Sequence, residues 1–309
     1  MKAHRMALIG VGATGSVLAA ALLSNYPETV IVGRKPHTGD VLGDKGLRIS
    51  GALTYRTAVK NYITRIAALK EFHPTLIFLA TKTFHLGDIL PELKQVYEPG
   101  TTIIATQNGL GVEDFIGDNL DPADVLRMSL NFGAAMKSPG QVEVAFFNAP
   151  NHLGGFKQEH RDLGFQIAQM LTDCGLATDY VEDIKLFVWK KMVMKCTMAP
   201  ICAVTNKTIK EALEFAPTKE IADACFKEAL AVARAEGYDI GEDYLEQAVK
   251  YLMKAGVHRD SMCHDIASKK PTEIDYLGAK IVEYGKANYI PTPFYVAMTN
   301  LVKAIEDGY

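Results

Sequence analysis

Through the first half of the chain, short and wholly apolar runs alternate with longer stretches whose apolar residues recur every three or four positions. Met6–Ile9 and Thr29–Val32 read as buried strands, with the Ala/Leu-rich stretch Thr14–Ser24 as the helix between them. Leu76–Ala80 and Thr102–Thr106 are further β-rich runs bounded by Pro or Gly, and Val125–Asn131, Gln141–Ala145 and Asn151–Gly154 follow after turn signals such as Ser138-Pro139-Gly140. Asp162–Cys174 has the spacing of an amphipathic helix and Thr178–Val181 that of a last short strand. Strands alternating with helices predict βαβ units on a mainly parallel sheet. From about Glu182 the period changes: Ile184–Thr205, Lys207–Ala216, Lys219–Glu236, Gly241–Ala255, His258–Ser268 and Pro271–Ala287 all have helical spacing. The prediction is an α/β domain over residues 1–181 followed by an all-helical domain over 182–309.

Composition narrows the class. Hydrophobic residues make up 48% and charged residues 22% of 309, the balance of a globular protein that buries a core. A formal net charge of −3 gives no global positive field for a nucleic-acid backbone or an anionic membrane, and no later stretch reaches the ~20 apolar residues of a membrane span. The five cysteines are odd in number, widely spaced and without a CxxC pair, which points to a reducing, cytoplasmic setting. Residues 6–27 carry no formal charge and follow Lys2, His4 and Arg5, which imitates a signal peptide. Gly10, Gly12 and Gly15 fit a strand-to-helix turn better than a secretory apolar core.

That turn is the first candidate for chemistry. Gly10-Val11-Gly12-Ala13-Thr14-Gly15 is GxGxxG directly after a strand and opening a helix. The first glycine makes the tight turn and the second lets backbone N–H groups approach a pyrophosphate. The third allows close helix–strand packing, and the helix N-terminus adds positive potential. A Rossmann-type dinucleotide-binding domain is the expectation, against a nucleotide-free turn of the same shape. NAD enzymes usually end the second strand in Asp or Glu, to hold the ribose 2′-hydroxyl. Here Thr29–Val32 runs into Gly33-Arg34-Lys35, and two cations suit a 2′-phosphate, so NADPH is the expected cofactor.

In open α/β sheets, ligands sit outside the carboxyl ends of the strands. Ala80-Thr81-Lys82-Thr83 and Gln107-Asn108-Gly109-Leu110-Gly111 follow neighbouring strands there, offering the Lys82 cation and the Asn108 amide. Taken alone, Lys82 reads as a solvated loop lysine and Asn108-Gly109 as a turn; their joint placement favours a site. In the helical domain, Trp189-Lys190-Lys191-Met192-Val193-Met194-Lys195-Cys196 is an apolar helix carrying three lysines. Lys191 and Lys195 share one face at i, i+4. The alternative is a solvated stripe. A buried-edge ammonium is able to donate a proton to a carbonyl oxygen, and the like charge of Lys195 is expected to lower the Lys191 pKa. Ser261-Met262 and Thr272-Glu273-Ile274-Asp275 form a second polar group. Glu273 near a helix start reads first as a helix-dipole acid. His258, Cys263 and His264 lack the spacing of a metal site, so no metal is expected.

Taken in order, these motifs resemble the ketopantoate reductase family (2-dehydropantoate 2-reductases) over essentially the whole chain: GxGxxG at the N-terminus, Lys82 in TKT, QNGLG at 107–111, WKK at 189–191, and Ser261-Met262 followed by TEIDYLG ending at Gly278. The resemblance implies NADPH-dependent reduction of a 2-oxo acid, above all 2-dehydropantoate, to a 2-hydroxy acid in pantothenate biosynthesis. It implies Lys191 as general acid and Glu273 as the acid supporting the active-site hydrogen bonds. Asn108 corresponds to the cleft amide, Lys82 to a cofactor- or substrate-side cation and Ser261 to a substrate-carboxylate contact. Pantoate-forming members of the family typically carry Asn four and eight residues after the catalytic lysine, where this chain has Lys195 and Ala199, and often Asn where it has His258. Lost amides remove hydrogen bonds to a substrate hydroxyl, and Lys195 is expected to favour an additional anionic group. The alternatives are therefore a reductase or dehydrogenase for another 2-oxo/2-hydroxy acid, or a non-catalytic NADP(H) redox sensor. A homodimer through the apolar helices is a further expectation.

Overall fold

The computed structural model describes residues 4–120, 124–254 and 259–309. Its first elements are β1 (Met6–Ile9), α1 (Ala13–Asn25), β2 (Val30–Val32), α2 (Pro36–Lys45), β3 (Leu47–Gly51), β4 (Tyr55–Thr57) and β5 (Asn61–Ile63). Next come β6 (Leu76–Leu79), α3 (Leu86–Lys94), β7 (Thr102–Ala105), α4 (Val112–Asn119) and β8 (Asp124–Ser129). After β9 (Phe132–Ser138), β10 (Gln141–Phe147) and β11 (Asn151–Gly155), α5 (His160–Asp173) and β12 (Thr178–Tyr180) complete the α/β part. The rest is helical: α6 (Ile184–Thr205), α7 (Ile209–Glu214), α8 (Ala216–Ala235), α9 (Tyr244–Met253), α10 (Ser261–Ala267), α11 (Gly278–Ala287) and α12 (Pro293–Glu306). Two compact units result. One runs to Gln107 and resumes over Gly111–Ile184; the other joins Asn108–Leu110 to Lys185–Tyr309.

The main sheet of the first unit has the order β12-β11-β8-β7-β6-β1-β2-β5. Six of its strands, β5-β2-β1-β6-β7-β8, are parallel in the 3-2-1-4-5-6 order of dinucleotide-binding sheets. The apolar runs are explained by burial on both faces. Met6 and Leu8 pack into one core cluster, Ala7 and Ile9 into the other. The parallel pattern has limits. β11 runs antiparallel to β8, and β10 leaves the main sheet for a second one of order β4-β3-β10-β9. A Pro-Gly turn joins β9 to β10, too short for a crossover helix, so the pair is antiparallel. Helix α1 packs against β1 on one side and β3, β4 and β9 on the other, which is why Gly15–Leu23 is buried all round and lacks a polar stripe.

Beneath the end of β7 lies a buried ion pair. Arg127 on β8 is 1% exposed, donates from Nη1 to the Ala105 carbonyl at 3.3 Å, and sets Nε 3.3 Å from Oε2 of Glu113 in the first turn of α4. Burial pulls the guanidinium below its ordinary pKa, and the Glu113 charge opposes that pull.

The helical unit is organised around α6. Its Thr197 hydroxyl is 2.8 Å from the Tyr295 hydroxyl of α12, both buried. Glu228 of α8 accepts the Phe294 and Tyr295 N–H groups at 3.0 Å each, so a carboxylate from a neighbouring helix caps α12. The stretch expected to be one helix over 271–287 divides into a 3-10 turn at Ile274–Tyr276 and then α11. Among the described residues, no helix is long and apolar enough to cross a membrane.

Candidate active site

β1, β6 and β7 are parallel neighbours, so the residues after them — Gly10, Ala80–Lys82 and Thr106–Gln107 — leave the sheet side by side. Gly10 has φ +104°, which an L side chain rarely adopts, and a Cβ there would stand 2.8 Å from the Thr81 backbone N. A Cβ on Gly15 would stand 1.9 Å from the Gly10 carbonyl oxygen, which is the close packing a third glycine permits. Gly12 differs: a Cβ would meet nothing within 4 Å. It is the N-cap of α1, no side chain caps the helix, and no acid stands in its first turn. The first N–H groups, including those of Ala13 and Thr14, thus open onto free space with the positive end of the helix dipole behind them. The Thr81 hydroxyl is buried and makes no hydrogen bond among the described residues. Open space, an uncapped helix start and an orphaned hydroxyl fit a pyrophosphate.

At the end of β2, Arg34 and Lys35 are exposed, and Lys35 opens α2 with its carbonyl accepting from the Tyr62 hydroxyl at 3.0 Å. No carboxylate occupies the position that would meet a 2′-hydroxyl. Burial first, and then the nearby Arg34 charge, hold His85 below the usual histidine pKa, with Asp88 opposing. His85 ends the turn Thr83–His85 that Lys82 opens, so it sits near Arg34 with its ring held toward the neutral form. No motif in the sequence surrounds it, and sequence reasoning misses it for that reason.

The second unit gathers the other expected residues. Lys191 and Lys195 lie on α6, and Lys191 Nζ donates to Asn108 Oδ1 at 2.9 Å. Two more bonds dock the Asn108 segment: Gly109 N–H to Met192 Sδ at 3.2 Å and Leu110 N–H to the Tyr276 carbonyl at 3.2 Å. Glu273 is 6% exposed and its carbonyl accepts from Tyr276 N at 3.0 Å, so it belongs to the same turn. Glu273 precedes a single 3-10 turn and makes no side-chain cap there, so the helix-dipole reading does not account for its burial.

Lys195 corrects an expectation. Its ammonium lies 3.0 Å from Asp260 Oδ1, 2.7 Å from Asp260 Oδ2 and 2.8 Å from Ser261 Oγ. A carboxylate therefore offsets the charge expected to act on Lys191 or on a second substrate anion. Asp260 is 7% exposed and its Oδ1 accepts from Met262 N at 2.9 Å, capping α10. An Asp directly before a helix is the available sequence signal, and a cap is all it implies. Ser261 remains exposed, and Ala199 is wholly buried in α6. Sequence reasoning also misses Gln107, whose side-chain N and O are buried without a partner among the described residues. His258 lies outside the described residues.

Comparison with known proteins adds to this geometry. Residues 6–158 match the family described as "Ketopantoate reductase PanE/ApbA", and residues 183–306 match "Ketopantoate reductase PanE/ApbA C terminal". A 2-dehydropantoate 2-reductase of Pyrococcus horikoshii is 30% identical over 303 residues, covering 97% of this chain and 96% of its own. One from Pyrococcus abyssi is 28% identical over 302 residues, with 97% of each chain covered. Among solved structures, D-mandelate dehydrogenase with NADH and anilino(oxo)acetate superposes with a TM-score of 0.89 at 23% identity, covering 98% of both chains. The PanE/ApbA family ketopantoate reductase of Ralstonia eutropha gives 0.87 at 22%, covering 98% of this chain and 99% of its own. At those identities the two superpositions establish the shared fold.

Proposed function

This chain belongs to the ketopantoate reductase family, and from that premise we propose that it reduces 2-dehydropantoate to pantoate with NADPH. NAD(P)-dependent reduction of a 2-oxo acid is the family's chemistry. The observation that carries the site assignment is the 2.9 Å bond from Lys191 Nζ to Asn108 Oδ1, on the α6 face that also bears Lys195 beside Ser261.

Gly10 and Gly15 shape the turn, the Gly10 N–H being bonded to the Val32 carbonyl at 2.9 Å. The N–H groups of Gly12, Ala13 and Thr14 would hold the pyrophosphate, and Arg34 with Lys35 the 2′-phosphate. Lys82 adds a cation toward the cofactor. When bound, the nicotinamide supplies a hydride to C2 of the acid. Lys191 gives the matching proton from Nζ to the C2 oxygen. Asn108 accepts one N–H of that ammonium and so fixes where the remaining protons point. Ser261 donates to the substrate carboxylate, and Glu273 supports the hydrogen bonds around Lys191. A positioned acid of this kind contributes about 10²–10⁴ in rate. The five cysteines are free and buried, which supports action in a reducing cytoplasm.

A second reading, reduction of a different 2-oxo acid, is favoured by the Lys195–Asp260 pair and the buried Ala199, which stand where amides would read a hydroxyl. The deciding experiment follows NADPH loss with 2-dehydropantoate beside 2-oxopentanoate and 2-oxo-2-phenylacetate, with NADH as cofactor control. The first reading expects 2-dehydropantoate ahead by orders of magnitude. A lead for either other acid transfers the assignment to the second reading. NADPH binding without turnover of any acid overturns both.

A further inference from the structure

We infer that Lys195 and Asp260 form a charge-neutral pair that selects a 2-oxo acid with an uncharged side chain and sets the Ser261 hydroxyl as a donor to its single carboxylate. The inference rests on the 2-oxo-acid reductase reading above.

An ammonium has three N–H donors and no acceptor. Lys195 uses all of them locally, at 3.0 and 2.7 Å to the two Asp260 oxygens and 2.8 Å to Ser261 Oγ. The pair is largely removed from water, with side-chain exposures of 15% and 10%, so the Asp260 charge compensates Lys195 at short range rather than through solvent. A second carboxylate arriving beside Lys195 would have to displace Asp260, which the Met262 N–H also holds at 2.9 Å. If it did not displace Asp260, it would meet a carboxylate of its own sign. An uncharged side chain meets neither obstacle.

The same geometry defines the serine. Lys195 donates into an Oγ lone pair, so the Ser261 hydroxyl proton points to another acceptor. Asp260 Oδ1 lies 3.5 Å away, too far to hold that proton well. The substrate carboxylate is the stronger acceptor. Lys195 is thus a positioning residue, acting on the substrate through Ser261.

The test compares two acids of equal carbon number, 2-oxopentanoate and 2-oxopentanedioate, as the ratio of kcat/KM under saturating NADPH. The wild type should favour the monoacid by at least ~100-fold, the size expected when a site leaves a charge unpaired. Asp260→Asn keeps an acceptor for the α10 cap but removes the compensating charge, and should move the ratio toward the diacid by about tenfold or more. Lys195→Gln leaves the Asp260 carboxylate uncompensated and should move the ratio further toward the monoacid by about tenfold, with KM rather than kcat raised for the monoacid because Ser261 loses its positioning partner. This variant decides the matter should Asp260→Asn fail to fold. A wild type that prefers the diacid, or a ratio that stays unchanged or moves toward the diacid in Lys195→Gln, overturns the neutral pair while leaving the reductase reading intact. No turnover of any 2-oxo acid overturns the reductase reading and the pair's role with it.

Discussion

The glycine turn after β1 and the charged face of α6 are both expected to hold anionic ligands, yet they are built from different materials. At the turn the groups are backbone N–H donors, and the side chains matter by being absent: Gly10 and Gly15 leave no room for a Cβ, and Gly12 leaves space open. On α6 the groups are long cationic side chains whose behaviour depends on distant partners: Asn108 is 83 positions from Lys191, and Asp260 is 65 positions from Lys195. A backbone site is specified within a single short turn. A side-chain site is specified only after the fold brings its members together.

The sharpest way to test the contrast is Lys191→Ala, which should lower kcat by about 10²–10⁴ while NADPH affinity changes by less than about threefold. A mutant within about threefold of wild-type kcat would remove Lys191 from the mechanism. Arg127→Met comes next. It leaves Glu113 buried without its partner and should cost about 3–5 kcal/mol in urea unfolding. A cost under about 1 kcal/mol would mean that backbone bonding alone holds the end of β7. Gly12→Ala should weaken NADPH binding by about tenfold, or about 1.4 kcal/mol, with an unchanged Tm, because its methyl enters only open space. Equal NADPH affinity in titration calorimetry would place the pyrophosphate elsewhere. Glu228→Ala removes the carboxylate cap of α12 and should cost about 1 kcal/mol without altering kcat.

The smallest effect is on pH dependence. Burial holds His152 below the usual 6.5, with Asp179 partly opposing, and Asn131 Nδ2 donates to its Nδ1 at 3.2 Å when the ring is neutral. The unfolded chain therefore takes up this proton at a higher pH than the folded one. Stability from this group is present above about pH 6.5 and is lost as pH falls toward the depressed folded value. His152→Gln should flatten Tm against pH in that window. An unchanged slope would assign the acid sensitivity to other groups.

Much of the fold was legible because burial on both faces leaves an unbroken apolar run, as in Met6–Ile9 and Leu76–Leu79. The strands at Leu47–Gly51, Tyr55–Thr57 and Asn61–Ile63 were not, since they are short and carry Arg, Ser, Thr and Asn. Gln141–Phe147 was visible as a strand, but its place in the second sheet depends on pairing with Arg48–Gly51, far away along the chain, which no local period encodes. In the site, the spacing of Lys191 and Lys195 already put them on one face. Asp260 looked like any helix cap, and the i, i+4 arithmetic that read Lys195 as an available cation had no way to include it.

The segment Asn108–Leu110 has a consequence for inheritance. Its contacts with Lys191, Met192 and Tyr276 make it part of the helical unit, although it is encoded in the midst of the α/β one. A recombinant that joined residues 1–181 of one homologue to 182–309 of another would install a foreign tripeptide against a native α6. Lineages that exchanged these halves should show residues 108–110 changing in step with 191, 192 and 276, a correlation that crosses the apparent gene-level boundary between the two halves.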